Sequence, residues 1–290
     1  MSDCRYTKAT SVAEAVEALA EADGEAHVIA GGIALVILMN ERLLEPTWLV
    51  DVSGLDELKG IDETVDGGLR IGAGVTHDEL EHSPAVTRLR PMLIEMVTEI
   101  ACGRIKNKGT IGGNICLADP QGDPPIAMLA LDAIFRAAGP GGLREIPARE
   151  FFTGLYETAL AEDEILQDIV VPPAPAGSGA AYGKFAARRA MDYTSTISTG
   201  VELVRDGEAI ASIGIGLGGV GVAPVWAQAT ERVIVGEAPS DAVFARARES
   251  VFDTVEPLGD ALYSADYKRH VASVILKRTI IEAHARAGGA

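Results

Sequence analysis

The sequence predicts a mixed helix-and-strand protein in two domains, and three observations carry that expectation. Its 290 residues exceed what one ordinary core takes. Over residues 1–175, short apolar strand-like runs alternate with helical periodicity, and a glycine pair sits where one strand passes into a helix. After the PPAPAGSGA stretch at 172–180 the pattern changes to longer strand-like runs and then two helices, roughly 239–254 and 266–286. Proline stiffens and glycine loosens that stretch, so it reads as a linker or crossover between a domain over 1–175 and a second over 176–290.

Along the chain, Ser11 is placed to cap a first helix, with Glu14 as its capping-box partner. Val12, Val16 and Leu19 lie on one face of that helix, and Gly24 fits just past its end. A strand HVIA (27–30) leads through Gly31 and Gly32 into a helix near 35–42 and a second strand, WLVDV (48–52). LRIGAGV (69–75) is another strand; Thr76 and Glu79 announce a capped helix, and PMLIEMVTEIA (91–101) a buried one. From 102 to 125 no periodicity is sustained, which predicts a long, packed, functional loop. PIAMLALDA (125–133) resumes as helix, followed by strand-like AIFRAA. YGKFAARR, TISTGVELV and AIASIGIGLGGV are the strand runs of the second domain.

Composition narrows the functional classes. The hydrophobic fraction of 48% describes a folded chain, yet no apolar run approaches the roughly 20 residues of a membrane span. MSDCRYTKAT lacks the features of a secretory signal, so a cytoplasmic location is expected. A net charge of -17 opposes nonspecific nucleic-acid binding, which depends on neutralising phosphates. Cys4, Cys102 and Cys116 are too few and too scattered for an iron–sulfur cluster or a structural zinc, and are expected to be reduced and structural. The five histidines (His27, His77, His82, His270 and His284) are scattered and define no catalytic set, so a bound cofactor is expected to carry the chemistry.

The chemistry suggested by the glycines is diphosphate binding. A diphosphate needs converging backbone N–H donors, and a Cβ at the point of approach would hold it off. Gly31 and Gly32 before a helix N-terminus meet that need and add the helix dipole. Gly109, Gly112 and Gly113, with Thr110 and Asn114 as side-chain donors, supply a second wall. Two ordinary tight turns remain the bland alternative. GRIKNKGT (103–110) lacks the Gly-Lys-Ser/Thr ending of a Walker A loop. GIGLGG (214–219) follows a strand but opens no helix and lacks an acidic ribose partner, which argues against a Rossmann site.

Five segments in order resemble the medium, FAD-binding subunit of the molybdenum hydroxylases, the xanthine dehydrogenase and carbon monoxide dehydrogenase family. They are AGGIALVILMNERLLEPTWLVDVSGL, GTIGGNICLADPQGDPPIAMLALDA, KFAARRAMDYTSTISTG, GLGGVGVAPVWAQATE and SADYKRHVASVILKRTI. The resemblance implies an α+β fold: a two-subdomain FAD-binding domain over 1–175 (of the PCMH type), divided near 55–60, then a smaller α+β domain of the CO dehydrogenase flavoprotein type. It implies that the backbone around Ala30, Gly31, Gly32, Ile33, Ala34 and Leu35 contacts the FAD diphosphate. Thr110, Ile111, Gly112, Gly113 and Asn114 would approach from the other side. Asp123 matches an acidic position near FAD, Lys184 a lysine at the flavin's pyrimidine edge, and Tyr193 a region that approaches the isoalloxazine ring.

The role implied is electron transfer. A large molybdenum-cofactor subunit would oxidise substrate, a small subunit with [2Fe–2S] clusters would relay electrons, and FAD on this chain would pass them to an external acceptor. The expected assembly is a dimer of heterotrimers. The chain departs from the family pattern at Ile33, Ala34 and Ile37, where relatives often carry a polar residue, a serine and a proline. A lost serine–phosphate hydrogen bond is worth about 1 kcal/mol. The alternative is therefore a non-catalytic scaffold subunit that keeps the fold and has lost or weakened FAD binding.

Overall fold

The computed structural model describes residues 4–188 and 195–288. Its first layer is a three-stranded parallel sheet of β1 (Arg5–Lys8), β2 (Ala26–Ile29) and β3 (Trp48–Asp51), ordered β1-β3-β2. Helix α1 (Val12–Ala22) crosses between β1 and β2, and Ser11 Oγ accepts the Glu14 N–H at its start. The Glu14 carboxylate reaches back to Thr10 rather than to Ser11, so the expected capping box is shifted by one residue. Ala15, Val16 and Leu19 pack with Val50, Val52 and Leu58 into a small core, which also takes Ala138 and Ile165 from the next sheet. Helix α2 (Ile33–Asn40) joins β2 to β3 and buries none of its residues.

A single 3-10 turn (Asp56–Leu58) leads to the second sheet. It begins with β4 (Ile61–Glu63) and β5 (Leu69–Gly72), followed by five helices: α3 (His77–Glu81), α4 (Pro84–Leu89), α5 (Pro91–Thr98), α6 (Gly103–Lys106) and α7 (Ile111–Leu117). The capping box of Thr76 and Glu79 is complete. Next come α8 (Asp123–Ala130), β6 (Ile134–Gly139), β7 (Gly142–Pro147), α9 (Ala148–Phe151), the hairpin β8 (Phe152–Gly154) and β9 (Glu157–Thr158), and β10 (Ile165–Val171). The sheet is antiparallel with order β4-β5-β10-β6-β7, and its core is filled by α5, α7 and α8. The stretch 102–125 is thus not a loop. It holds α6, α7 and the start of α8, and its glycines hid the helical periodicity.

The remaining elements form a four-stranded antiparallel sheet, β11 (Ser178–Phe185), β12 (Ile197–Asp206), β13 (Ala209–Gly218) and β14 (Val225–Trp226), in sequential order. Helices α10 (Gln228–Ile234), α11 (Asp241–Thr254) and α12 (Ala265–Arg286) cover one face, burying Val251, Leu276 and Ile280 against Val201, Ile213 and Ile215. Against the strands β12 and β13 lies α8 of the preceding sheet. The GIGLGG stretch is what lets it approach: a Cβ on Gly214 would overlap the Ala130 carbonyl oxygen, and one on Gly216 that of Ile126. These glycines are packing positions within β13.

Candidate functional site

The two glycine segments meet. A Cβ built on Gly31 would overlap the Lys108 carbonyl oxygen and lie 3.2 Å from Gly109 Cα, so the backbones touch where only hydrogen fits. Gly32 is the N-cap of α2 with φ +73°, a left-handed conformation that glycine adopts at little cost. It has no side chain to cap the helix, and the first-turn N–H groups of α2 have no intrahelical partner. Ala30, Gly31, Gly32, Ile33, Ala34 and Leu35 are all partly exposed, as a backbone that receives a ligand must be.

The opposing segment is anchored from below. Ile111 N donates to Val75 O and Gly112 N to Ala73 O, both at 2.9 Å, and Thr76 bridges Thr110. Ile111 and Gly112 are consequently buried, and a Cβ on Gly112 would come 2.6 Å from Ala73 O. Gly113 is exposed, and its N–H goes to Thr110 Oγ1 as the cap of α7. Thr110 Oγ1 thus serves as an acceptor here, with its own proton left to donate. The Asn114 Oδ1 atom is buried and has no hydrogen-bond partner among the described residues.

His77 lies beneath this segment. It is 2% exposed, its N–H donates to Gly109 O at 2.9 Å, and its Nδ1 is buried and unpartnered among the described residues. Burial, aided by the nearby Lys106 ammonium, pushes its pKa down to about 4. Lys106 itself is buried and paired to both oxygens of Glu81 at 3.0 and 2.9 Å. A histidine with a lowered folded pKa binds fewer protons folded than unfolded. Its stabilising contribution is complete above the unfolded value near 6.5 and is lost as pH falls from there through 4. We expect His77→Gln to lose about 2 kcal/mol less than the unmutated chain between pH 7 and pH 5, by urea titration at the two values. Parallel pH dependence in the two chains would refute the assignment.

A third group converges from the C-terminal sheet. Asp123, the first residue of α8, is buried; its Oδ1 accepts from Tyr182 Oη at 2.6 Å and its Oδ2 from Lys184 Nζ at 2.7 Å. Lys184 also donates to the Glu99 carbonyl at 3.3 Å. Burial pushes the Asp123 carboxyl above its usual range, opposed by Lys184 and Tyr182. Asp123 and Lys184, 61 positions apart in sequence, are therefore partners, while Tyr193 lies outside the described residues. Sequence reasoning missed Tyr182, although the period of a strand puts it on the same face of β11 as Lys184. The cysteines are unpaired, but Cys4 and Cys102 are exposed rather than packed.

The residues fit a dinucleotide-type cofactor on three observations of the fold. An uncapped helix start faces a second one across touching glycines, Asn114 keeps an orphaned acceptor, and a buried charged cluster stands alongside. The class so defined is an α+β protein with a candidate cofactor site at the contact of its two glycine segments. A family model described as the FAD binding domain in molybdopterin dehydrogenase matches residues 2–174, and one described as the CO dehydrogenase flavoprotein C-terminal domain matches 180–283. The chain is 35% identical to the carbon monoxide dehydrogenase medium chain of Afipia carboxidovorans over 97% of each chain. It is 33% identical to the nicotine 6-hydroxylase medium subunit of Paenarthrobacter nicotinovorans, covering 97% of this chain and 98% of that one. Its fold matches carbon monoxide dehydrogenase from Hydrogenophaga pseudoflava with a TM-score of 0.93 at 34% identity over 98% of both chains.

The chain belongs to the family of FAD-binding medium subunits of molybdenum hydroxylases, and its cofactor is FAD. No helix among the described residues is long and apolar enough to cross a membrane.

Proposed function

We propose that this chain is the electron outlet of a multi-subunit molybdenum hydroxylase. Its partners are a small subunit with [2Fe–2S] clusters and a large subunit with the molybdenum cofactor, and the heterotrimer pairs into a dimer. Residues 1–175 form the FAD-binding domain, with subdomains divided near 55–60, and 176–290 the C-terminal domain. The relatives' designation as medium chains and subunits supports this reading. Bound FAD supplies the capacity to take electrons singly and deliver them in pairs to an external acceptor.

The chain's own residues do the holding and shaping. The backbone N–H groups at 30–35 bind the diphosphate at the start of α2, where the helix dipole favours the anion. The Thr110 hydroxyl faces it from the other side, the N–H groups of Ile111, Gly112 and Gly113 being spent within the fold. Asn114 Oδ1 is positioned to accept a hydrogen bond, and Asp123 and Lys184 line the flavin end with fixed charge. The observation that carries this reading is the contact of Gly31 with Lys108 and Gly109, which turns two separate turns into one clamp.

Gly113→Ala tests it. Its Cβ would meet only Thr110 Oγ1, at 2.8 Å, so the fold should tolerate it where Gly112 substitutions would press on Ala73. We expect complexes carrying Gly113→Ala to assemble normally but to rebind FAD at least about tenfold more weakly after deflavination, a loss of about 1.4 kcal/mol in binding. A complex that assembles without flavin even before mutation would instead favour the scaffold reading.

A further inference from the structure

Asp123 and Lys184 belong to the proposed flavin site; Tyr182, buried beside them, has no assigned part in it. We infer that Tyr182 is a positioning residue of that site, holding Asp123 ionised and oriented so that the Lys184 ammonium stands fixed at the flavin's edge. This rests on the reading that Lys184 faces the flavin.

The geometry carries the inference. Among the described residues each oxygen of the buried Asp123 carboxylate has one donor, Tyr182 Oη on Oδ1 and Lys184 Nζ on Oδ2. Both donors come from one face of β11, whereas the carboxylate comes from α8, so the cluster spans the junction of the two domains. The Tyr182 backbone is tied independently, its N–H donating to Glu95 Oε2 at 3.1 Å. That Glu95 is held in turn by Arg286 at 2.6 Å. Burial and the adjacent Asp123 push the Tyr182 hydroxyl well above the usual phenol range, so it remains a donor. Among the described residues the cluster is also faced by Ser198, which hydrogen-bonds the phenol, and by Glu99, whose carbonyl accepts from Lys184 and whose carboxylate charge raises both the Asp123 and the Tyr182 pKa.

Without the hydroxyl, buried Oδ1 loses the bond it accepts from Tyr182. The carboxylate then shifts toward its protonated form, its hold on the Lys184 ammonium weakens, and the site becomes more positive. A positive charge beside the flavin favours the reduced cofactor, so the flavin potential should rise.

The experiment uses the co-purified complex carrying the unmutated chain, Tyr182→Phe, Asp123→Asn, or both. FAD potential is read by spectroelectrochemical titration, and FAD affinity by rebinding to the deflavinated complex. Tyr182→Phe should shift the potential positive and weaken FAD binding about tenfold, the scale of one hydrogen bond to a charged group. In the Asp123→Asn background the same change should move neither quantity further. Equal shifts in both backgrounds would mean that Tyr182 acts by packing alone and would overturn the inference, as would a potential unmoved in a flavin-replete Tyr182→Phe complex. An unmutated complex without flavin overturns the site reading and this inference together. If Tyr182→Phe fails to assemble, Asp123→Asn decides: its potential must move positive, and an unmoved one counts against us.

Discussion

Gly31→Val should empty the flavin site and destabilise the chain by about 3 kcal/mol, the upper range for forcing atoms into a packed site. The reason is positional. The Cβ would overlap the Lys108 carbonyl and lie 2.6 Å from its carbon, and backbone cannot swing aside as a side-chain end can. To admit it, the start of α2 must part from Lys108 and Gly109, which opens the clamp. Flavin released per chain on heating and a denaturant titration of the purified chain check both halves of the claim. Full flavin content in Gly31→Val would refute the clamp, whatever its stability.

Asp168→Ala should cost about 3 kcal/mol by the same titration, with no direct effect on flavin content. Asp168 lies on the central strand β10 and is 1% exposed. Arg136 grips both its oxygens, at 2.6 and 2.8 Å, and Arg70 adds a third contact at 3.2 Å. Removing the carboxylate leaves two guanidinium groups facing each other with their shared anion gone. Breaking a buried pair from one side costs about 3–5 kcal/mol, and the lower end applies because both arginines reach solvent. A loss below about 1 kcal/mol would mean the arginines turn to water freely and the triad contributes little.

Much of this architecture was legible because it is written locally. The capping box at Thr76 and Glu79, the cap at Ser11 and the β2-α2-β3 unit each follow from residues close in sequence. The stretch 102–125 defeated periodicity because α6 and α7 are short and glycine-bearing, and α7 is held by backbone bonds to residues 73–75 rather than by its own propensity. Thr110, a good N-cap residue, was the available signal. GIGLGG could be excluded as a nucleotide turn, but its use as a seat for α8 is a contact between distant segments.

The sequence by itself determined the alternation of elements, the glycine-bearing start of α2 and, through five ordered segments, the family. Tertiary structure alone decided that Gly31 touches Lys108, that Gly112 is a packing glycine while Gly113 faces outward, and that Asp123 is held by both Tyr182 and Lys184. The physical reason is range. Caps and periodicity act within a few residues, whereas close backbone approach and the burial of charge depend on which distant surfaces the fold presses together.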